Sequence, residues 1–140
     1  MPTDAAPVFL TLDEVLAAHA DLIERYGGVP GARDVALLSS ALGAVRATFD
    51  GQYLHPSLFE MAGAYLFHIA RNHPFVDGNK RAALMTALLF LWLNGHEIAA
   101  PGEDLAALVE GVAAGSVTKA QASAFLERHA VARADEDPAR

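Results

Sequence analysis

Apolar residues recur along this chain at helical spacing, and almost nowhere at the two-residue spacing of a half-buried strand. Leu12, Val15, Leu16, Leu22 and Ile23 share one helical face, and Thr11-Leu12-Asp13-Glu14 has the form of a capping box. A first helix is predicted from that box to Tyr26, and Gly27-Gly28-Val29-Pro30-Gly31 ends it in a tight connection. A second helix is predicted over 34–48, with Val35, Leu38, Leu42 and Val45 turned inward. A third, over 57–72, carries Leu58, Met61, Ala62, Tyr65, Leu66 and Ile69. A fourth, over 78–93, is apolar nearly all round after its first turn, which predicts the central buried helix. A fifth (103–114) and a sixth (118–130) are separated by Gly115, and Asn94-Gly95 stops the fourth. Residues 50–56 and 73–77 read as loops, and only Val8-Phe9-Leu10 and Glu97-Ile98 suggest short extended pieces. The fold class is all-α, a compact six-helix bundle around a central buried helix. Residues 1–7 and 131–140 read as flexible ends, the latter a polar tail through Asp135-Glu136-Asp137-Pro138.

Composition sharpens this picture. A chain of 140 residues reads as a single domain over 1–140. Its hydrophobic fraction of 53% is enough for a real core. There is no cysteine, which excludes disulfides and thiolate chemistry. Met1-Pro2-Thr3-Asp4 is not basic and no apolar stretch follows it, so no signal peptide is expected. The longest apolar run, 82–93, is interrupted by Thr86 and falls short of the roughly 20 residues a bilayer requires. The expectation is a cytoplasmic protein without membrane contact. A net charge of -7 argues against direct nucleic-acid binding. It also makes the cations informative. Lys80 is one of only two lysines, and Arg71, Lys80 and Arg81 gather around one turn, as a small anionic ligand requires.

That turn is His73-Pro74-Phe75-Val76-Asp77-Gly78-Asn79-Lys80-Arg81. A glycine turn feeding a helix N-terminus offers free N–H groups and the positive end of the helix dipole to an anion. Lys80 and Arg81 add full charges there. Asp77 beside a phosphate makes sense with a metal ion between them, which suggests a nucleotide phosphate with Mg²⁺; Asp77 is also a favoured N-cap. His73 stands where it can move a proton. The other histidines (His19, His55, His68, His96, His129) read as structural or surface groups.

These nine residues resemble the signature of the Fic/Doc superfamily, specifically its death-on-curing (Doc) branch. Arg25-Tyr26-Gly27-Gly28-Val29-Pro30-Gly31 looks like the same branch, as does the helix from Ala83 to Leu91 leading to Asn94-Gly95. The resemblance spans roughly residues 10–130. It implies a small helical toxin of a type II toxin–antitoxin pair. The Doc branch uses ATP to phosphorylate a threonine of translation elongation factor Tu, which stops protein synthesis; the Fic branch transfers AMP to hydroxyl side chains. The Fic signature resembles His-Pro-Phe-x-x-Gly-Asn-Gly-Arg-x-x-Arg, whose second glycine leaves space for the α- and β-phosphates. Here Lys80 replaces that glycine, and Leu84 stands in place of the second arginine. The nucleotide is therefore expected to turn its γ-phosphate towards His73, which favours phosphoryl transfer. Gly78 is the Fic-like residue where the Doc prototype has alanine, a difference given little weight.

In this reading His73 is the general base and Asp77 the Mg²⁺ ligand. Lys80 and Arg81 hold phosphate oxygens, and Asn79 and the Gly78 backbone complete the anion nest. Arg71 reaches the same phosphates or pairs with a helix carboxylate. Pro74 and Phe75 fix the loop against the core. Loop 50–56 corresponds to a flap that docks the target polypeptide, with Tyr53 and Leu54 as contacts, or is an ordinary connection. Ser123-Ala124-Phe125-Leu126-Glu127 followed by Arg128 departs from the superfamily's inhibitory motif. Inhibition is therefore expected in trans, from a Phd-like antitoxin whose disordered segment folds as a helix into a groove of helix one, helix two and the 27–31 turn. The alternatives are a Fic-type AMP transferase and a catalytically inactive partner-binding module, though the motif keeps every chemically useful residue.

Overall fold

The computed structural model describes residues 6–134. Capping boxes set three of its helix starts. Thr11 and Glu14 open α1 (Leu12–Tyr26), Ser57 and Glu60 open α3 (Leu58–Asn72), and Thr118 and Gln121 open α6 (Lys119–Arg128). In each, a hydroxyl accepts the third residue's N–H while that residue's side chain accepts the cap's own N–H. Asp34 caps α2 (Val35–Val45) by accepting from Leu37 N at 3.1 Å. Helices α4 (Asn79–Leu93) and α5 (Gly102–Ala114) complete the six among the described residues.

Two predicted helix ends give way to strands. The second helix stops at Val45, short of residue 48, because Thr48–Phe49 (β1) pairs antiparallel with Gln52–Tyr53 (β2). Asp50 and Gly51 both take positive φ, 56° and 78°, as a two-residue hairpin of this hand requires. The loop predicted over 50–56 thus starts inside a hairpin. The sixth helix stops at Arg128, and Ala130–Ala132 (β4) pairs with His96–Ile98 (β3) in the register His96↔Ala132, Glu97↔Val131 and Ile98↔Ala130. Residues 131–133, expected in the flexible tail, are instead held: Arg133 N donates to Gly95 O at 2.9 Å, and its guanidinium lies 4.7 Å from the Trp92 ring. Residues 135–140 of that tail, like residues 1–5, lie outside the described residues.

The central helix is α3, not α4. Met61, Ala62, Gly63, Ala64, Tyr65, Leu66, Ile69 and Ala70 are all buried, and α2, α4, α5 and α6 all pack on this helix. Small residues allow it: a Cβ on Gly63 would collide with Ser123 of α6. Helix α4 buries Ala82, Ala83, Thr86, Ala87, Phe90 and Leu91, and leaves an apolar face uncovered. Leu84, Met85, Leu88, Leu89 and the half-exposed Trp92 wall an apolar groove of about 650 Å³ with Leu22 and Tyr26 of α1. An all-round apolar helix reads as buried, but burial needs neighbours on every side, and α4 lies at the edge of the bundle. Among the described residues no helix is long and apolar enough to cross a membrane.

Candidate active site

The site begins where α3 ends. His73 takes a left-handed backbone, φ 50° and ψ 57°, with its N–H on Ile69 O at 3.3 Å. The chain then runs antiparallel against the connection between α1 and α2. Arg33 N and Asp34 N donate to Pro74 O at 2.7 and 3.0 Å, and Val76 N donates to Gly31 O at 3.0 Å. The Arg33 guanidinium sits on the carbonyls of His73 and Asn72. The glycine-rich connection is thus a template on which the motif loop is cast.

Phe75 fixes the loop to the core, as expected, and is almost fully buried. Its ring stacks on His19 at 3.8 Å between centroids. His19 Nε2 lies 2.8 Å from Asp77 O and carries the proton, since a carbonyl only accepts. His19 is structural, as read, but what it structures is the motif. Asn79 closes the turn: its Oδ1 accepts from Phe75 N at 2.8 Å and its Nδ2 donates to Phe75 O at 3.0 Å. The Asn79 side chain therefore shapes the loop, and Asn79 also lines the cavity described next.

Asp77 is exposed and does not cap α4. Its Oδ2 accepts from Val29 N at 3.0 Å and its Oδ1 from Gly78 N at 2.8 Å. These two bonds, Val29's first, hold its pKa below the usual carboxylate value. Gly28 permits the approach, because a Cβ there would lie 2.9 Å from Asp77 Oδ2. The cap of α4 is Gly78, at φ 74° and with no side-chain acceptor, so the first-turn N–H groups have no side-chain cap. Gly78 matters more than the resemblance suggests. Alanine would adopt the left-handed region and meet Ile23 Cδ1 at 3.3 Å.

His73, Asp77, Gly78, Lys80 and Arg81 share the walls of one cavity of about 460 Å³, which Ala106, Val109 and Glu110 of α5 face from the other side. Lys80 Nζ reaches Glu110 at 3.0 and 3.1 Å, and Arg81 Nη1 donates to Gly27 O at 3.3 Å. Arg71 is not brought to this cavity. Its guanidinium lies 5.8 Å from the Phe67 ring and against Gly115, towards the α5–α6 turn. Tyr53 and Leu54 also stand apart, on the β1–β2 hairpin, where Tyr53 packs edge-on against Phe9 at 5.7 Å.

Among the described residues no group of three or more His, Asp or Glu converges, so a closed all-protein metal cage is not built here. A single carboxylate with spare lone pairs, beside a cavity that Lys80 and Arg81 also line, does suit Mg²⁺, which keeps waters and takes substrate oxygens. Sequence reasoning missed Arg33 and Glu110. Arg33 had a usable signal, an arginine between a glycine turn and the Asp34 cap. Glu110 had none, since nothing near it in sequence marks it.

The sequence model of the Fic/DOC family matches residues 9–91, which contain the whole motif and its template. "Protein kinase doc" of Escherichia phage P1 is 39% identical over 116 residues, which is 83% of this chain and 90% of that protein. "Toxin Doc" of Mycolicibacterium smegmatis is 40% identical over 92 residues, 66% of this chain and 68% of that one.

Proposed function

The chain belongs to the Fic/DOC family, and from that footing we propose that it is a Doc-type toxin, a kinase that moves the γ-phosphoryl group of ATP to a protein hydroxyl. The observation that carries this reading is Lys80. Its side chain extends across the cavity to Glu110, from the position where the Fic signature has the glycine that leaves space for the α- and β-phosphates. A nucleotide turned the other way brings its γ-phosphate towards His73. Lys80, Arg81 and the first-turn N–H groups of α4 then hold the phosphates, each charge-assisted bond contributing roughly 1.5–3 kcal/mol. His73 takes the proton of the target hydroxyl. The hydroxyl oxygen bonds to the γ-phosphorus, the bond to the β–γ bridging oxygen breaks, and ADP leaves. Asp77 would hold Mg²⁺, which neutralises charge on the phosphates.

The proposed target is a threonine of elongation factor Tu, and the proposed compartment is the cytoplasm, where that factor and ATP are found. The β1–β2 hairpin is the proposed target dock: Leu54 and Phe49 are exposed, at 58% and 75%, and Tyr53 anchors the hairpin on Phe9. The proposed restraint is a Phd-like antitoxin whose disordered segment folds on binding. Its seat is the α1–α4 groove, in place of the α1–α2 groove that the sequence suggested. The α1–α4 groove is apolar and shares Arg81 and Leu84 with the phosphate cavity.

Transfer from ATP labelled at the γ-phosphate to elongation factor Tu with Mg²⁺ tests this. Label is expected with the wild type, and His73→Ala should lower the rate by about 10²–10⁴-fold. Label from the α-phosphate alone would replace this reading by AMP transfer. No label from either position would leave the binding module.

A further inference from the structure

We infer that Arg33 is the positioning residue for His73, holding the backbone of the base in the conformation that presents its imidazole to the cavity. The catalytic part of this inference rests on the kinase reading above; the geometry does not. His73 and Asp50 are the non-glycine residues with positive φ among the described residues. Asp50 sits in a hairpin turn that calls for it. His73 sits at a helix end, where glycine commonly takes this conformation and a Cβ is disfavoured. Something must hold it there.

Arg33 provides the hold. Its Nε and Nη2 donate to His73 O at 2.9 and 2.6 Å, and Nη2 also donates to Asn72 O at 3.1 Å. These carbonyls are freed as the chain leaves α3, at the negative end of its dipole. A planar fork can grip both, which an ammonium group on a flexible stem does less well. The next peptide is fixed from the same place, because Arg33 N and Asp34 N hold Pro74 O. Asp34 in turn caps α2. The direction of His73 is therefore set by the start of α2, a different element from the helix that carries it. Arg33 is absent from the cavity walls and acts on His73 through the backbone.

The test compares the wild type with Arg33→Met and Arg33→Lys. For Arg33→Met, kcat is expected to fall about ten- to a hundred-fold, as a misaimed base would cause, with KM for ATP unchanged. Arg33→Lys should recover only part of the loss. A second readout needs no activity: the imidazole NMR signals of His73, one set in the wild type, should broaden or double in Arg33→Met. Unchanged ring signals would overturn the inference. So would a variant that loses thermal stability while its folded fraction keeps full kcat, since Arg33 would then be a helix cap and no more. If the wild type transfers no phosphate, the kinase reading falls, and the ring signals still decide the role of Arg33.

Discussion

Lys80 and Glu110 meet across the cavity with much of each side chain in solvent, 48% and 64% exposed. An ion pair so exposed contributes about 0–1 kcal/mol, too little to keep Lys80 from a polyphosphate. Once Lys80 turns to the phosphate, Glu110 is left as a like charge beside it. Glu110→Gln is therefore expected to tighten binding of inorganic triphosphate by about three- to ten-fold, while Lys80→Ala weakens it. The gain should shrink with added salt, since the Debye length falls to about 8 Å at physiological ionic strength. Calorimetric titration of both variants checks this. Weaker binding by Glu110→Gln would instead make Glu110 a support that holds Lys80 in place. Asp77 differs, because two backbone N–H groups already favour its charged form and hold its pKa below the usual carboxylate value.

At the scale of elements, what could be read in the sequence was whatever is local. The starts at Thr11, Ser57 and Thr118 are legible because a capping box lies within four residues. The ends are less so. The end of α2 depends on the Asp50-Gly51 turn, which lies beyond the helical spacing, and the end of α6 depends on β3, a partner far away in sequence. The site divides in the same way. Its contiguous motif could be read, but Arg33 and Glu110 arrive from α2's start and from α5 and carry no mark of their destination. The seam between α3 and α6 was illegible for the same reason. His68 on α3 and His55 before it lie near Lys119, whose Nζ is 3.3 Å from His55 Nε2. Burial lowers both pKa values, the Lys119 charge lowers them further, and the Val45 backbone and then Glu60 partly offset this at His55. The unfolded chain binds these protons near pH 6.5 and the folded one only at lower pH. Their stabilisation is thus complete above about pH 6.5 and is lost as pH falls through that value towards the lowered ones. The thermal midpoint should drop between about pH 7.5 and 5.5, and a double variant, His55→Gln with His68→Gln, should flatten that slope. An unchanged slope would assign the effect to other groups.

For the molecule as a whole, the cavity and the groove are one continuous surface that Arg81 and Leu84 share. A monomer rarely leaves so much apolar helix face uncovered without a partner for it. An amphipathic helix would lay residues at i, i+3 or i+4, and i+7 along Leu84, Leu88 and Trp92, with one end beside Arg81. Such an occupant would restrain the toxin by position alone, covering the approach to the phosphate site, which suits an antitoxin segment that folds only on binding. Leu88 is far enough along α4 to be absent from the cavity walls. Leu88→Asp should therefore abolish co-purification with the product of the neighbouring gene, keep γ-phosphate transfer, and stay toxic when that product is co-expressed. Val35→Asp, on the exposed part of α2, should bind and be neutralised like the wild type. The reverse pattern, escape by Val35→Asp and none by Leu88→Asp, would move the seat back to the α1–α2 face. It would also leave the α4 groove to another partner.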